Sequence, residues 1–316
     1  MDAALTVVSL QGAGSGALLP LLIKGTLLCL LGVSVGSESS TMPAIVRHRI
    51  ALGTVLGLAA LPLLGALLNS WELPILSREP RDLNTQSSPF VSVLILVYLG
   101  VASVLLIRLC VDVLRTARLS GRARALHTAV GLLPDLDHSR AGTPVKCSDE
   151  IRSPLTWGWL RPQVLVPADA SEWKTSDLSM ALQHELAHVQ RRDWAGHLLA
   201  RCVHALYWPV PGIRLLQRQL SLSAEQACDD RVLASGVAAP DYAAMLLRQA
   251  QGTRVPASVA LGHSTELGTR IRYMVVEIVD HSAVAKGAVA TFATCLALTL
   301  VIATMQLGQR PELPAV

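Results

Sequence analysis

The sequence predicts a mainly α-helical protein that crosses a membrane four times and carries an α+β domain on the cytoplasmic side. Three observations lead there. Half of the 316 residues are apolar (51%), only 16% are charged, and the mean hydropathy is +0.44, a balance seldom reached by soluble chains. The excess is gathered into four apolar stretches, Leu18–Gly36, 50–68, 90–107 and 287–307. Each approaches the ~20 residues needed to cross a bilayer core. Finally, the arginines cluster beside some of these stretches and avoid others, which fixes an orientation.

The first stretch has no positively charged segment ahead of it and is followed by more of its kind, so it reads as a span rather than a cleaved signal. Lys24 inside it is unusual; its side chain either reaches for the interface or faces the bundle interior, and a functional role for it stays open. The connection to the second span carries Arg47, His48 and Arg49. The loop after the second span, 70–89, has three prolines and a weak charge bias. Beyond the third span come Arg108, Arg115, Arg118, Arg122 and Arg124. Both termini are therefore expected outside, and residues 109–285 in the cytoplasm of a bacterial cell with plasma-membrane spans on either side. The expected organisation is residues 1–108 for three spans, 109–285 for the cytoplasmic domain, and 286–316 for the fourth span and a short external tail. The net charge of +4 then needs no nucleic-acid partner, since the basic residues sit where topology and anionic headgroups want them. The partner implied by composition is the lipid bilayer. The six cysteines form no CxxC pair and read as small buried hydrophobes.

The cytoplasmic segment opens with an arginine-rich helical pattern over 115–133, then a turn-rich run over 134–144. Residues 145–148 and 163–167 read as short strands, joined by a connection over 152–162 that has turn residues at both ends. Trp157 and Trp159 lie in that connection as core or interfacial aromatics. An exposed edge of such a sheet could hold an extended peptide by strand addition.

A helix is expected from about Asp177, with Ser176 able to cap it and Asp177 at the positive end of its dipole. It carries His184-Glu185-Leu186-Ala187-His188. Residues four apart share a helix face, so His184 and His188 can address one metal ion, while Glu185 stands beside it as a general base for bound water. Taken alone the motif is also compatible with two ordinary surface histidines. A catalytic zinc takes three protein ligands and leaves a fourth position for water, and the sequence offers Glu225 within Ala224–Asp230 as a third. The helix is expected to run past Asp193 as far as Tyr207, with His197, Arg201 and His204 on a solvated face. Trp208-Pro209-Val210-Pro211-Gly212 then breaks it. A second helix, about 213–234, returns Glu225 to the level of His184 and ends at Gly236. Asp229, one turn beyond Glu225, or Asp193 could accept the free N–H of a ligand histidine. Cys228 lies beside the Glu225–Asp229 face and is discounted as a ligand. Segments 242–248 and 266–276 read as further amphipathic helices.

Together these motifs resemble the BlaR/MecR-type membrane zinc metallopeptidases, antirepressors with a zincin-like, gluzincin-type domain. The resemblance runs through Arg47-His48-Arg49, Ser153 to Gly158, Arg161-Pro162, the HExxH helix with Arg191-Arg192-Asp193, Trp208-Pro209, Glu225 to Asp229 and Leu267 to Ile271. It implies Zn²⁺ as cofactor, His184, His188 and Glu225 as metal ligands, Glu185 as the catalytic residue, and Asp229 and Asp193 as their supports. It further implies proteolysis of a cytoplasmic protein, a transcriptional repressor above all, with signal transduction as the setting and a homodimer as one expected assembly. The sensors of this family carry an external penicillin-binding domain after the fourth span. This chain ends about ten residues past that span, so a member without the sensor is expected. A membrane quality-control protease of the HtpX kind, which shares HExxH and a downstream glutamate, is the alternative. A non-proteolytic scaffold is the third reading.

Overall fold

The computed structural model describes residues 2–37, 42–67, 71–76, 89–126, 143–252, 257–276, 294, 297–302 and 304–309. It is mainly helical, with a four-stranded sheet and a separate pair of strands. Three helices come first: α1 (Asp2–Ser37), α2 (Ala44–Leu67) and α3 (Pro89–Arg122), each containing a segment long and apolar enough to cross a membrane. Pro20 and Pro62 fall inside α1 and α2, where neighbouring helices can compensate the lost hydrogen bond. The arginine-rich pattern expected as a separate helix over 115–133 is instead the continuation of α3, which passes unbroken through residue 108 and stops at Arg122. A two-residue strand, Arg124–Ala125, follows. The turn-rich 134–142 and most of the 70–89 loop lie outside the described residues.

Of the fourth expected span, residues 297–302 are helical, whereas Met305–Gln309 is extended. That strand pairs in parallel with Trp71–Leu76, Trp71 opposite Met305 and Leu73 opposite Leu307. The last residues assigned to the span therefore belong to a strand pair; residues 287–293 lie outside the described residues.

In chain order the strands are β1 (Trp71–Leu76), β2 (Arg124–Ala125), β3 (Val145–Ser148), β4 (Leu155–Trp157), β5 (Gln163–Pro167) and β6 (Met305–Gln309). The four-stranded sheet has the order β2-β3-β5-β4, with β3 and β5 parallel and the two edges antiparallel. β3 and β5 match the two strands read from sequence. β4 corrects the reading of 152–162 as a plain connection: three residues are too few to show alternation. Gly158 turns the chain from β4 towards β5 at φ +96°, and a Cβ there would lie 2.9 Å from the Arg161 carbonyl oxygen. Only glycine fits that position.

Five helices complete the fold: α4 (Thr175–Arg191), α5 (Asp193–Leu206), α6 (Ile213–Ala234), α7 (Ala239–Gly252) and α8 (Ala257–Val276). α4 starts two residues earlier than expected. Its N-cap is Lys174, with no side-chain cap, so Ser176 does not serve as one. Asp177 does stand in the first turn, where Arg248 of α7 grips both its oxygens at 2.9 and 3.1 Å. The long helix expected from 177 to 207 is two helices, because Arg192 adopts φ +58° and returns its N–H to the carbonyls of His188 and Val189. α5 can thereby leave the line of α4.

Among the described residues four apolar clusters hold these parts, and two of them position the site. Val164, Val166, Leu178, Leu182 and Leu186 join the sheet to α4. A larger one joins Leu28 of α1 and Val55, Leu58 and Leu61 of α2 to Val203, Leu216 and Leu220 of α5 and α6. Each such aliphatic side chain contributes about 1.5–3 kcal/mol when fully buried. The α5–α6 hairpin is thus packed against the apolar helices rather than standing apart from them.

Candidate metal centre

α4 runs from the sheet to the hairpin, and α6 returns past its second half. This brings His184, His188 and Glu225 together, with one potential ligand atom from each lying within 4.8 Å of the others. His184 Nε2 lies 3.3 Å from Glu225 Oε2, and His188 Nε2 lies 3.4 Å from Glu225 Oε1. The imidazole centroids are 4.9 Å apart and nearly perpendicular. The two histidine side chains are 8% and 12% exposed while Glu225 is 36% exposed, so the cluster opens to solvent on the carboxylate side.

Both imidazoles present Nε2 to the cluster and are held from behind through Nδ1. His188 Nδ1–H donates to Asp193 Oδ2 at 2.8 Å. His184 Nδ1 lies 2.8 Å from the Tyr242 hydroxyl oxygen, and Tyr242 in turn donates to Asp229 Oδ1 at 2.8 Å; the direct separation from His184 Nδ1 to Asp229 Oδ1 is 3.3 Å. Asp193 thus lies behind His188 and Asp229 behind His184, whereas the sequence reading offered the two as alternatives for one such place. Fixing the rear nitrogen selects the tautomer whose front lone pair is free for a cation.

Arg270, from α8, closes the cluster. Its guanidinium donates to Asp229 at 2.6 and 2.8 Å and contacts Glu225 Oε2 at 2.9 Å. Burial pushes the Glu225 and Asp229 carboxyls up, but Arg270 and the histidines outweigh it and hold both below their ordinary range, Glu225 well below. Burial pushes His184 down, and the bonds to Asp229 and Glu225 more than reverse this, lifting it to about 9. His188 is likewise lifted well above its ordinary value, against burial, by Asp193 and Cys228. Without a cation the cluster therefore stores protons on its imidazoles.

Glu185 is buried, 8% exposed, one step round α4 from the two histidines. The hydroxyl of Thr156, in the edge strand β4, lies 2.8 Å from Glu185 Oε2 and 3.0 Å from its main-chain oxygen. β4 is held in place by the edge-to-face contact of Trp157 with Trp194 of α5, centroids 5.0 Å apart; Trp159 is exposed.

Asp193 gathers several groups. Besides His188 it faces Arg191 at 3.2 Å and, from α2, His48 at 3.5 Å, whose Nδ1 lies 3.4 Å from the Leu220 carbonyl. Cys228 Sγ is 3.3 Å from His188 Nδ1. That thiol is on the rear side of the imidazole, and the guanidinium of Arg191 lies 3.7 Å from it, so a second cation there would meet a fixed positive charge. The sequence reading discounted Cys228 as a ligand, yet His188, Asp193 and Cys228 form a second group whose potential ligand atoms lie within 4.8 Å of one another. His197 and His204 are half-buried rather than solvated, and burial pushes both below the ordinary histidine value. Arg201 is exposed and pairs with Asp112 of α3.

Sequence reasoning reached the HExxH residues and their carboxylates because helical spacing displays them. It did not assign Tyr242, Thr156, His48 or Arg270 any part in the site; the structure gives Arg270 to Glu225 and Asp229.

The sequence profile described as BlaR1 peptidase M56 matches residues 69–274. The regulatory protein BlaR1 of Bacillus licheniformis is 31% identical over 83 residues, which is 26% of this chain. The match spans only 14% of that protein's length.

Proposed function

The chain belongs to the BlaR1 peptidase M56 family, and from that premise we propose that it is a membrane-embedded zinc endopeptidase whose metal is held by His184, His188 and Glu225. The observation that carries this reading is the 3.3 and 3.4 Å spacing between the glutamate oxygens and the two Nε2 atoms. Ligands about 2.0–2.1 Å from a tetrahedral zinc stand about 3.3 Å from one another. The donor set also fits: two imidazoles with their rear N–H groups engaged, one carboxylate, and an opening towards solvent for a fourth position.

Zinc bound there supplies Lewis acidity, lowering the pKa of a water from 15.7 to about 7 and polarising a peptide carbonyl. The chain's residues do the rest. Glu185, its carboxylate oriented by Thr156, takes the proton of the attacking water and passes it to the departing amine. Asp193 keeps His188, and Tyr242 with Asp229 keeps His184, in the tautomer that faces the cluster. Arg270 keeps Glu225 ionised, so that it can act as a ligand at neutral pH. The edge strand β4 beside Glu185 offers unpaired main-chain groups to an extended substrate segment.

The substrate we propose is a cytoplasmic protein, a transcriptional repressor, cleaved within a signalling pathway of the BlaR1 kind. The test co-expresses the full chain with a candidate repressor of the same organism, for wild type and Glu185→Gln, and measures both repressor cleavage and bound zinc. Equal zinc with cleavage lost in the variant is the expected result. Cleavage unchanged in Glu185→Gln would remove Glu185 from the mechanism, and many products in place of one would favour quality-control proteolysis.

A further inference from the structure

The hairpin formed by α5 and α6 descends among the helices that are apolar enough to span a membrane. Its base lies level with their charged ends: Asp193 and Leu220 face His48, near the start of α2, and a Cβ on Gly36, at the end of α1, would collide with Gln219. Its tip lies far from those ends. A Cβ on Gly25 would sit 2.7 Å from the Tyr207 ring, and Gly212 approaches Cys29 and Leu30. On the other side, the Tyr98 hydroxyl in the middle of the apolar part of α3 donates to the Leu206 carbonyl, and the Tyr98 and Trp208 rings stack. Gly25 is eleven residues up the helix from Gly36, about 16 Å, or half of a ~30 Å hydrocarbon core.

The sequence of the hairpin agrees with this depth. Residues 206–213, Leu-Tyr-Trp-Pro-Val-Pro-Gly-Ile, contain no ionisable group other than the Tyr207 phenol. Arginines flank them on both sides, Arg201 before, paired with Asp112, and Arg214 and Arg218 after, Arg218 paired with Glu266; all three are exposed. An arginine within one or two turns of the membrane boundary can carry its guanidinium to the headgroups along an apolar stem. Leu206 and Leu215 are 46% and 57% exposed, and Leu206 adjoins α3 through the Tyr98 bond, on a helix where Leu96 is 68% exposed.

We infer that the α5–α6 hairpin is a re-entrant membrane element: its tip dips to about mid-bilayer and returns, with acyl chains covering Leu206 and Leu215 and an arginine collar at the phosphates. The occupant of its outer face is lipid, because that face continues the lipid-exposed surface of the adjoining spans. The metal-binding cluster at the hairpin's base then lies at the membrane surface. Taken with the peptidase reading above, this restricts substrates to polypeptide presented against the bilayer.

The test places a photoreactive benzoylphenylalanine singly at 206, 215, 96 and 160 of the full chain in lipid vesicles, irradiates, and measures lipid adducts by mass. All four positions are exposed leucines, so the fold is little disturbed, and a thermal unfolding curve in detergent matching wild type checks it in each variant. Lipid adducts at 206 and 215 should match those at 96 and exceed those at 160, on the sheet side, by about tenfold, as burial in acyl chains requires. Adducts at 206 and 215 as rare as at 160, or crosslinks there to a second protein chain instead of lipid, would overturn the proposal. Neither result depends on zinc or on cleavage, so the peptidase reading stands or falls separately.

Discussion

Thr156 and Glu185 are joined twice, through the carboxylate oxygen at 2.8 Å and the main-chain oxygen at 3.0 Å. One hydroxyl cannot donate to both at once, and the carboxylate is the stronger acceptor. The bond sets the carboxylate's rotation on a helix position that is already 8% exposed. Glu185→Gln keeps the shape and removes the ionisable group proposed as the base, so turnover should fall about 10²–10⁴-fold with metal content unchanged. Thr156→Val keeps the strand and loses the donor. It should lower kcat by a smaller factor and leave KM and metal content near wild type, as single-turnover cleavage would show. A Thr156→Val protein with undiminished kcat would mean that Glu185 is oriented without it.

Arg270 is a permanent cation that reaches both Glu225 and Asp229, as His184 also does when protonated. Asp229 is fully buried, so removing its partner leaves a carboxylate in a place where it can neither be solvated nor easily stay charged. Arg270→Ala should destabilise the fold by about 3–5 kcal/mol, read by thermal unfolding in detergent. Arg270→Lys restores the charge but not the fork that bonds both oxygens of Asp229, and should recover only part of that loss. Equal stability of Arg270→Ala and wild type would show that this cluster contributes nothing to folding.

The protons held on the imidazoles fix the direction of two pH effects. In the metal-free protein His184 is raised from 6.5 to about 9, so its contribution to stability is complete below 6.5 and is lost as pH rises through about 9. Glu225 and Asp229 are lowered from 4.5 and 3.8, so theirs is present above those values and is lost as pH falls through the folded ones. The chelated protein should therefore melt highest between about 4.5 and 6.5. Metal must displace those protons, which reverses the trend. Zinc affinity should rise from pH 6.5 to 9, and uptake at pH 7 should release about two protons, measurable by calorimetry in buffers of different ionisation enthalpy. Uptake without proton release would show that the histidines are already neutral.

These relationships also mark how far the sequence could be read. His184, His188 and Glu185 are legible because one helix turn places them, and Glu225 because a Pro-rich break promises a second helix returning alongside. β5 is legible as a short valine-containing apolar run and β3 as a short run after a turn-rich stretch, although β3 has a single β-branched residue. The split at Arg192 is not: a left-handed arginine carries no compositional mark, and the apolar pattern of α5 continues that of α4. Nor is the hairpin's insertion between α1, α2 and α3, because a helix buried against other helices has the same composition as one buried in a soluble core. Tyr242, Arg270 and His48 come from three elements that only the packing unites, and each reads locally as an ordinary polar residue of an amphipathic helix.

Gly32 and Gly36, one turn apart on α1, test that packing from the other side. A Cβ at Gly36 would lie 1.5 Å from Gln219 Nε2, and one at Gly32 would lie 2.3 Å from Thr54 Oγ1. The shorter distance is the less costly. Gln219 meets the intruder with the far end of a flexible side chain, which can rotate away, and alanine then adds up to ~1 kcal/mol of helix propensity over glycine. Thr54 is β-branched, 1% exposed, and tied by its hydroxyl to the Ile50 carbonyl at 2.9 Å, and a Cβ at Gly32 would also lie 2.9 Å from Thr54 Cβ itself. That contact yields only if α1 and α2 move apart. Gly32→Ala should therefore destabilise by about 1–3 kcal/mol, as overpacking does, and Gly36→Ala should be close to neutral. Unfolding of both variants in the same detergent gives the order. The reverse order would mean that α1 meets α2 more loosely at Thr54 than it meets α6 at Gln219, and that the hairpin, not the first two spans, is the rigid part of the bundle.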